Sequence, residues 1–574
     1  MKIDLEEKSK QLKNLVAQFD SKMFLGELSG MKQFISPTNQ LESLKGLKSP
    51  LRQFYYLASL NLTSSPENIT KDRFSDEEWE EIKSLLIEIE EGYIQYFLPD
   101  GETEISEEWI KKRKVAMPSF LNYFNQTALN YEEQVIERIK LYFNPLEKEI
   151  INQFGLSIDD FISIYNYIDS VPNKFLEEKI HKKEGQQTWE EFAESMIEQG
   201  IMPDKWQEHM PEHFSNFFNF LYDHGSMLRF TFEQLEQQFG PEKAKAFLDT
   251  FTIERNETGF LYYTEKNPLF IKPIFKVGEN EYQCLEYKQV VHAIYDTLFE
   301  FCFNDKKLKE RLLAIRGKKF EDKIVEVFQS FFNNEATVYK GFYTQDGHEQ
   351  DLLFLIKGLA LIVEAKSSKR KEPKRNPDTA YPFIEANFNE TIQKGYDQAF
   401  RIKEKFIDRE TIKIYSDQKL KNHVIDLKPK NFHSAYSIIV TQEVFGHIQI
   451  HLSELLDVYE DDTYPWSVSL DDLEVILLYM KKEGLNLRDF IKFLQVRECL
   501  HENVTANDEL DVCAGILSHK ITKEVAKVEH LLVIPPEYAG IFDEHYHKGG
   551  LGFKEEKNMK YKTSNKYMVL GSHR

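Results

Sequence analysis

Four cysteines in 574 residues, Cys284, Cys302, Cys499 and Cys513, include no CxxC pair. That excludes a zinc ribbon and a disulfide framework and fits reduced core residues. His545 and His547 have no further ligand in a recognisable spacing, too little for a metal centre. There is no Gly-x-x-x-x-Gly-Lys-Ser/Thr loop, which excludes nucleotide-driven action of the P-loop kind. No stretch of membrane-spanning length is free of charge, and the first residues, MKIDLEEKSKQ, lack the apolar centre of a signal peptide. The expectation is a cytoplasmic protein with no membrane partner. Positive charge is also in deficit: Lys and Arg number 73 against 95 Asp and Glu, a formal charge of −22. A passive nucleic-acid coat has the opposite balance. No repeat of fixed period occurs.

Length and texture set the organisation. A chain of 574 residues, 41% hydrophobic, exceeds one core and has ample material for roughly two to four domains. Residues 1–255 read as mainly helical, with the capping box Ser75-Asp76-Glu77-Glu78 and the long amphipathic stretch Glu133 to Phe154. Phe214, Phe217, Phe218, Phe220 and Tyr222 recur at helical spacing and are expected in the core. Residues 256–305 read as a small β and helical connector, 306–450 as a mixed core, and 451–574 as a helical region with helices over Asp471 to Lys482 and Leu487 to Cys499.

The chemistry concentrates between Gln350 and Lys371, QDLLFLIKGLALIVEAKSSKRK. Leu352 to Leu355 and Leu359 to Val363 are apolar runs of strand length separated by Lys357-Gly358, which predicts a tight hairpin. With that turn, Asp351 falls opposite Glu364, and opposed residues share a face. Alternation adds Lys366 to the same face, so two carboxylates and an ammonium converge at the open end. A one-residue slip would disperse them. Glu349 falls opposite Lys366 and ranks behind the trio. The run Leu359 to Val363 does not alternate, which predicts cover on both faces, where a continuing charge needs a partner or a metal. Two carboxylates beside a lysine suit a hard divalent cation and in-line phosphodiester hydrolysis. Asp351 and Glu364 would be oxygen ligands, and Lys366 would place a water or offset developing charge. The plain alternative is three solvated charges at strand ends.

Other elements follow in order. Gly317 to Glu321 opens a helix with Phe320, Ile324, Val327, Phe328 and Phe331 on one face. Glu335 to Tyr343 reads as a strand, Thr344 to His348 as a turn, Phe388 to Phe406 as a helix and Ala435 to Thr441 as a strand. In this order the segment resembles the PD-(D/E)xK nuclease superfamily, over roughly a quarter of the chain. The fold class implied is α/β (α+β): a restriction-endonuclease-like core with a large, mainly α-helical N-terminal region and a helical C-terminal region. Gln350 stands where the superfamily's name has proline, and the second helix lacks the Gln-x-x-x-Tyr spacing of some branches.

The resemblance implies a Mg²⁺-dependent endonuclease, with Mn²⁺ able to substitute, in which Asp351, Glu364 and, from the first helix, Glu321 approach the metal and Lys366 completes the catalytic set. Gln393 and Gln398 lie where a substrate-contacting glutamine is found, and Gln398 is carried as a nucleic-acid contact against its plain reading as a surface residue. The run Lys369, Arg370, Lys371, Lys374 and Arg375 directly follows the candidate lysine, where a polyanion would dock. DNA is the favoured polymer because it predominates in the superfamily; RNA stays open. The acidic body joined to such a core resembles restriction or anti-phage defence effectors, with the N-terminal region selecting substrate, forming a homo-oligomer or receiving an activating protein partner. The alternatives are a silent nucleic-acid-binding scaffold on the same fold and an RNA-cleaving nuclease.

Overall fold

The computed structural model describes residues 3–32, 35, 42–99, 101, 105–125, 130–180, 187–527 and 531–556. The described residues form two compact units: those within 3–92 and 138–305, and those within 93–137 and 306–556. This division does not follow the four parts read from sequence. The segment 93–137 belongs to the second unit, and 306–450 and 451–556 share one hydrophobic core there.

The first unit is mainly helical. Ser75 and Glu78 form the expected reciprocal cap, Ser75 N–H donating to the Glu78 carboxylate at 2.9 Å and Glu78 N–H to Ser75 Oγ at 3.3 Å. The stretch Glu133 to Phe154, whose residues up to Glu137 fall in the second unit, is broken at Pro145 into helices Glu132–Phe143 and Glu147–Phe154. The connector contributes Ile274–Lys276 and Glu281–Cys284 to a four-stranded sheet with Arg229–Thr231 and Thr252–Ile253. One expectation is overturned. The helix Glu212–Tyr222 has no buried residue; Phe217, Phe218 and Tyr222 are 41%, 42% and 65% exposed. Helical spacing creates an apolar face, which Trp189, Phe192 and Phe175 cover only in part, at Phe214, Phe218 and Phe220.

The second unit is a mixed α/β structure around a seven-stranded sheet. Its strands are β1 (Thr337–Thr344), β2 (Glu349–Ile356), β3 (Leu359–Lys366), β4 (Ile412–Tyr415), β5 (His423–Leu427), β6 (Ser434–Thr441) and β7 (Trp466–Ser469). They run in the order β7-β6-β3-β2-β1-β4-β5, with β6 parallel to β3 and β7 and the other pairs antiparallel. The hairpin β2–β3 has the expected register, Ile356 against Leu359 through Leu352 against Val363. Lys357 (φ 45°) and Gly358 (φ 83°) supply the two left-handed positions of its turn.

The non-alternating run of β3 is buried because both faces are covered. Leu359, Leu361 and Val363 meet helix α1 (Lys306–Phe331) through Phe320, Ile324, Val327, Phe328 and Phe331. Ala360 and Ile362 meet helix α3 (Lys394–Ile407) through Ala399, Ile402 and Phe406. Helix α1 begins well before Gly317. The expected second helix is divided into α2 (Pro377–Phe388), a π turn over Asn389–Gln393, and α3. Strands β4, β5 and β7 had no counterpart in the sequence reading.

Two histidines of this unit are held neutral by burial, which pushes His447 down to about 4 and His501 well below the ordinary imidazole value. A native pKa below the unfolded value near 6.5 leaves stability intact above that pH and removes it as pH falls toward the native value. Denaturant titrations from pH 7 to pH 5 are expected to show falling stability, about 2 kcal/mol of it from His447. The variant His447→Gln should flatten the slope by that amount. Parallel slopes for the variant and the parent would contradict this.

Candidate active site

The site is the mouth of the β2–β3 hairpin. Beyond the last ladder pair, Asp351 Oδ2 accepts the Ala365 backbone N–H at 2.8 Å, which fixes the carboxylate across the two strands. Lys366 Nζ donates to Glu364 Oε2 at 2.9 Å, lies 3.6 Å from Asp351 Oδ2, and donates to Gln398 Oε1 at 2.6 Å. Asp351, Glu364 and Lys366 therefore converge as the register required, and α3 adds Gln398.

Glu364 is the unusual group. It is fully buried (0% exposed), and its Oε1 has no hydrogen-bond partner. Burial pushes its carboxyl up to about 8, against the nearby Lys366 ammonium, with the Asp351 charge adding to the rise. A buried carboxylate oxygen left unsatisfied is costly and calls for a cation or a proton. Two hard oxygen donors, one of them unsatisfied, fit a divalent cation of the Mg²⁺ type.

The other residues read from sequence are placed differently. Glu321 pairs with Lys340 at 3.4 Å; burial raises its carboxyl, and the nearby Asp351 charge adds to that. Among the described residues no group of three His, Cys, Asp or Glu is arranged to hold a metal, so Glu321 does not form one cage with Asp351 and Glu364. Glu349 lies opposite Tyr343 on β1, and its carboxylate accepts a hydrogen bond from the Tyr343 hydroxyl. His545 is bound to Glu483 at 2.8 Å.

The basic run is largely engaged within the protein. Arg370 Nη1 donates to the Val444 carbonyl at 3.2 Å, its backbone N–H donates to Glu443 at 2.9 Å, and burial lowers the guanidinium to about 10. Lys371 pairs with Glu390 at 2.9 Å and Arg375 with Glu372 at 3.2 Å. Lys374 lies 4.8 Å from the Phe383 ring centre. Lys369 and Lys374 remain exposed.

Two glycines shape the site and were missed. A Cβ on Gly395 of α3 would stand 2.9 Å from Lys366 Cε and 3.0 Å from Ile439 Cγ2, so a side chain there would push against the lysine stem. Gly341 lies opposite Asp351 in the β1–β2 register with φ 55°, and its missing side chain leaves open space. A glycine inside a helix and one inside a strand were the available signals.

Compared with protein-family models, curated proteins and solved structures, the chain matches none.

Proposed function

We propose that this chain is a metal-dependent endonuclease that hydrolyses phosphodiester bonds, preferably of DNA, on a PD-(D/E)xK-like core formed by α1, β1 to β3, α3 and β6. The reading rests on one observation: Asp351, Glu364 and Lys366 meet at one hairpin mouth, with a buried Glu364 oxygen lacking a partner. Asp351 and Glu364 would hold the cation, Mg²⁺ or Mn²⁺, which supplies phosphate polarisation and a more acidic water. Lys366 then directs its ammonium at the attacking oxygen or the developing phosphate charge. Gln398 holds that ammonium on the reacting side through its amide oxygen, and Gly395 keeps the path of the lysine stem clear.

The test is incubation of the full chain and of Asp351→Asn with supercoiled plasmid, single-stranded DNA and total RNA, with Mg²⁺, Mn²⁺ or chelator. Metal-dependent cleavage by the parent alone is expected, on plasmid first. Cleavage of RNA alone would change the polymer, and no cleavage of any substrate would refute the reading.

Gly395→Ala separates positioning from folding. Alanine is the better helix residue by up to about 1 kcal/mol, so stability should be kept. Its Cβ displaces Lys366, and a displacement near 1 Å is expected to lower turnover by about 10-fold to 100-fold, with KM little changed. Unaltered turnover would remove Gly395 from the positioning role.

A further inference from the structure

We propose that the two-stranded ribbon β4–β5 is a phosphate-backbone grip for duplex DNA, an inference that rests on the nuclease reading for the identity of the partner. In a chain of charge −22, residues 409–433 carry six Lys and Arg against three Asp and Glu. Lys413, Lys419, Lys421, Lys428 and Lys430 are all exposed, and none makes an ion pair among the described residues. The basic run after Lys366 offers less: the Arg370 guanidinium is turned to the Val444 carbonyl, and Lys371 and Arg375 pair with Glu390 and Glu372. Lysines without partners release counterions from a polyanion without first giving up an ion pair.

The ribbon is also shaped and fixed for the task. β5 is the outermost strand of the sheet, with Val424 and Ile425 50% and 38% exposed. The connecting turn is held by Asp417, whose carboxylate accepts the backbone N–H groups of Lys419 (3.1 Å), Lys421 (3.1 Å) and Asn422 (2.7 Å). Lys419 and Lys421 thus stand on a preorganised loop, which lowers the entropy lost on binding.

The ribbon is tied to the candidate site through the same packing. Ile412, Ile414 and Leu427 enter the cluster that contains Ala399, Ile402 and Phe406 of α3. β4 pairs with β1 at Tyr343–Tyr415 and Thr344–Ile414, and β1 pairs with β2, which carries Asp351. Three strand spacings place β5 about 14 Å from β2. At about 3.4 Å per nucleotide step, lysines there would meet phosphates about four steps from the bond at Asp351 and Glu364.

The test uses the full chain in chelator, so that binding is read without cleavage. The probe is a fluorescent DNA duplex, titrated over a range of NaCl. Replacing Lys413, Lys419, Lys421, Lys428 and Lys430 together by glutamine should weaken binding by about 100-fold or more and reduce the salt slope by about 3 to 4. The charge-reversed pair Lys419→Glu and Lys421→Glu should act in the same direction. Lys148→Gln with Lys245→Gln, exposed lysines of the first unit, should leave both quantities unchanged.

An unchanged slope in the five-site variant, an equal loss in the Lys148 and Lys245 control, or preference for single-stranded DNA or an RNA duplex would overturn the proposal. Ribbon-dependent duplex binding without cleavage under Mg²⁺ would uphold the grip and refute the nuclease. Cleavage with ribbon-independent binding would do the reverse.

Discussion

Replacing Lys366 by methionine is expected to lower cleavage about 1000-fold or more while tightening divalent-cation binding. The two effects have one cause. The ammonium now serves as the counter-charge of Glu364 at 2.9 Å and of Asp351 at 3.6 Å, so an entering cation must displace it. Without it, a fully buried carboxylate has lost its cationic partner, and a divalent ion can approach without that competition. Methionine retains most of the stem that packs under Gly395, which separates loss of charge from loss of shape. Calorimetric titration with Mn²⁺ in the absence of nucleic acid reads the binding, and plasmid cleavage reads the turnover. The variant should also be less stable in chelator and regain stability as the ion binds. Turnover within tenfold of the parent would remove Lys366 from the chemistry, whereas loss of ion binding would mean that the lysine organises the ligands.

The second large effect concerns folding. Arg497 is fully buried and grips Glu509 with two parallel bonds, Nε to Oε1 and Nη2 to Oε2, each 2.8 Å. Trp466 Nε1 donates to the same Glu509 Oε1 at 2.9 Å, and Arg497 Nη2 reaches the Ile450 carbonyl at 3.1 Å. Trp466 begins β7, so this pair ties the helices after residue 470 to the sheet. Arg497→Leu is expected to cost about 3 to 5 kcal/mol because it strands the Glu509 charge in the core. For a unit of this size that corresponds to a fall in Tm of about 10 °C. The double variant Arg497→Met with Glu509→Leu should recover most of the loss, since apolar groups of similar volume replace a buried ion pair at little cost. If the double variant is no better than the single one, the hydrogen bonds to Trp466 and Ile450 carry the energy and the charge pair does not.

The hairpin and the groups at its mouth are legible in the sequence alone. The turn Lys357-Gly358, the apolar runs on either side and side-chain alternation are local properties, and they suffice to bring Asp351, Glu364 and Lys366 to one face. The buried stripe of α1 was equally legible, because its helical period is written in Phe320 to Phe331. What meets those elements from a distance follows from the folded chain. Gln398 reaches Lys366 from 32 residues away, and Gly395 matters through a stem it does not adjoin in sequence. Arg370 stands in a basic run where a polyanion would dock, yet its guanidinium donates to the Val444 carbonyl and its backbone N–H to Glu443, both more than 70 residues on. The aromatic helix Glu212–Tyr222 has a core-like pattern and an exposed face. A sequence pattern specifies which face of an element is apolar or charged. What covers or neutralises that face depends on the partners the fold brings to it, and those lie outside any local window.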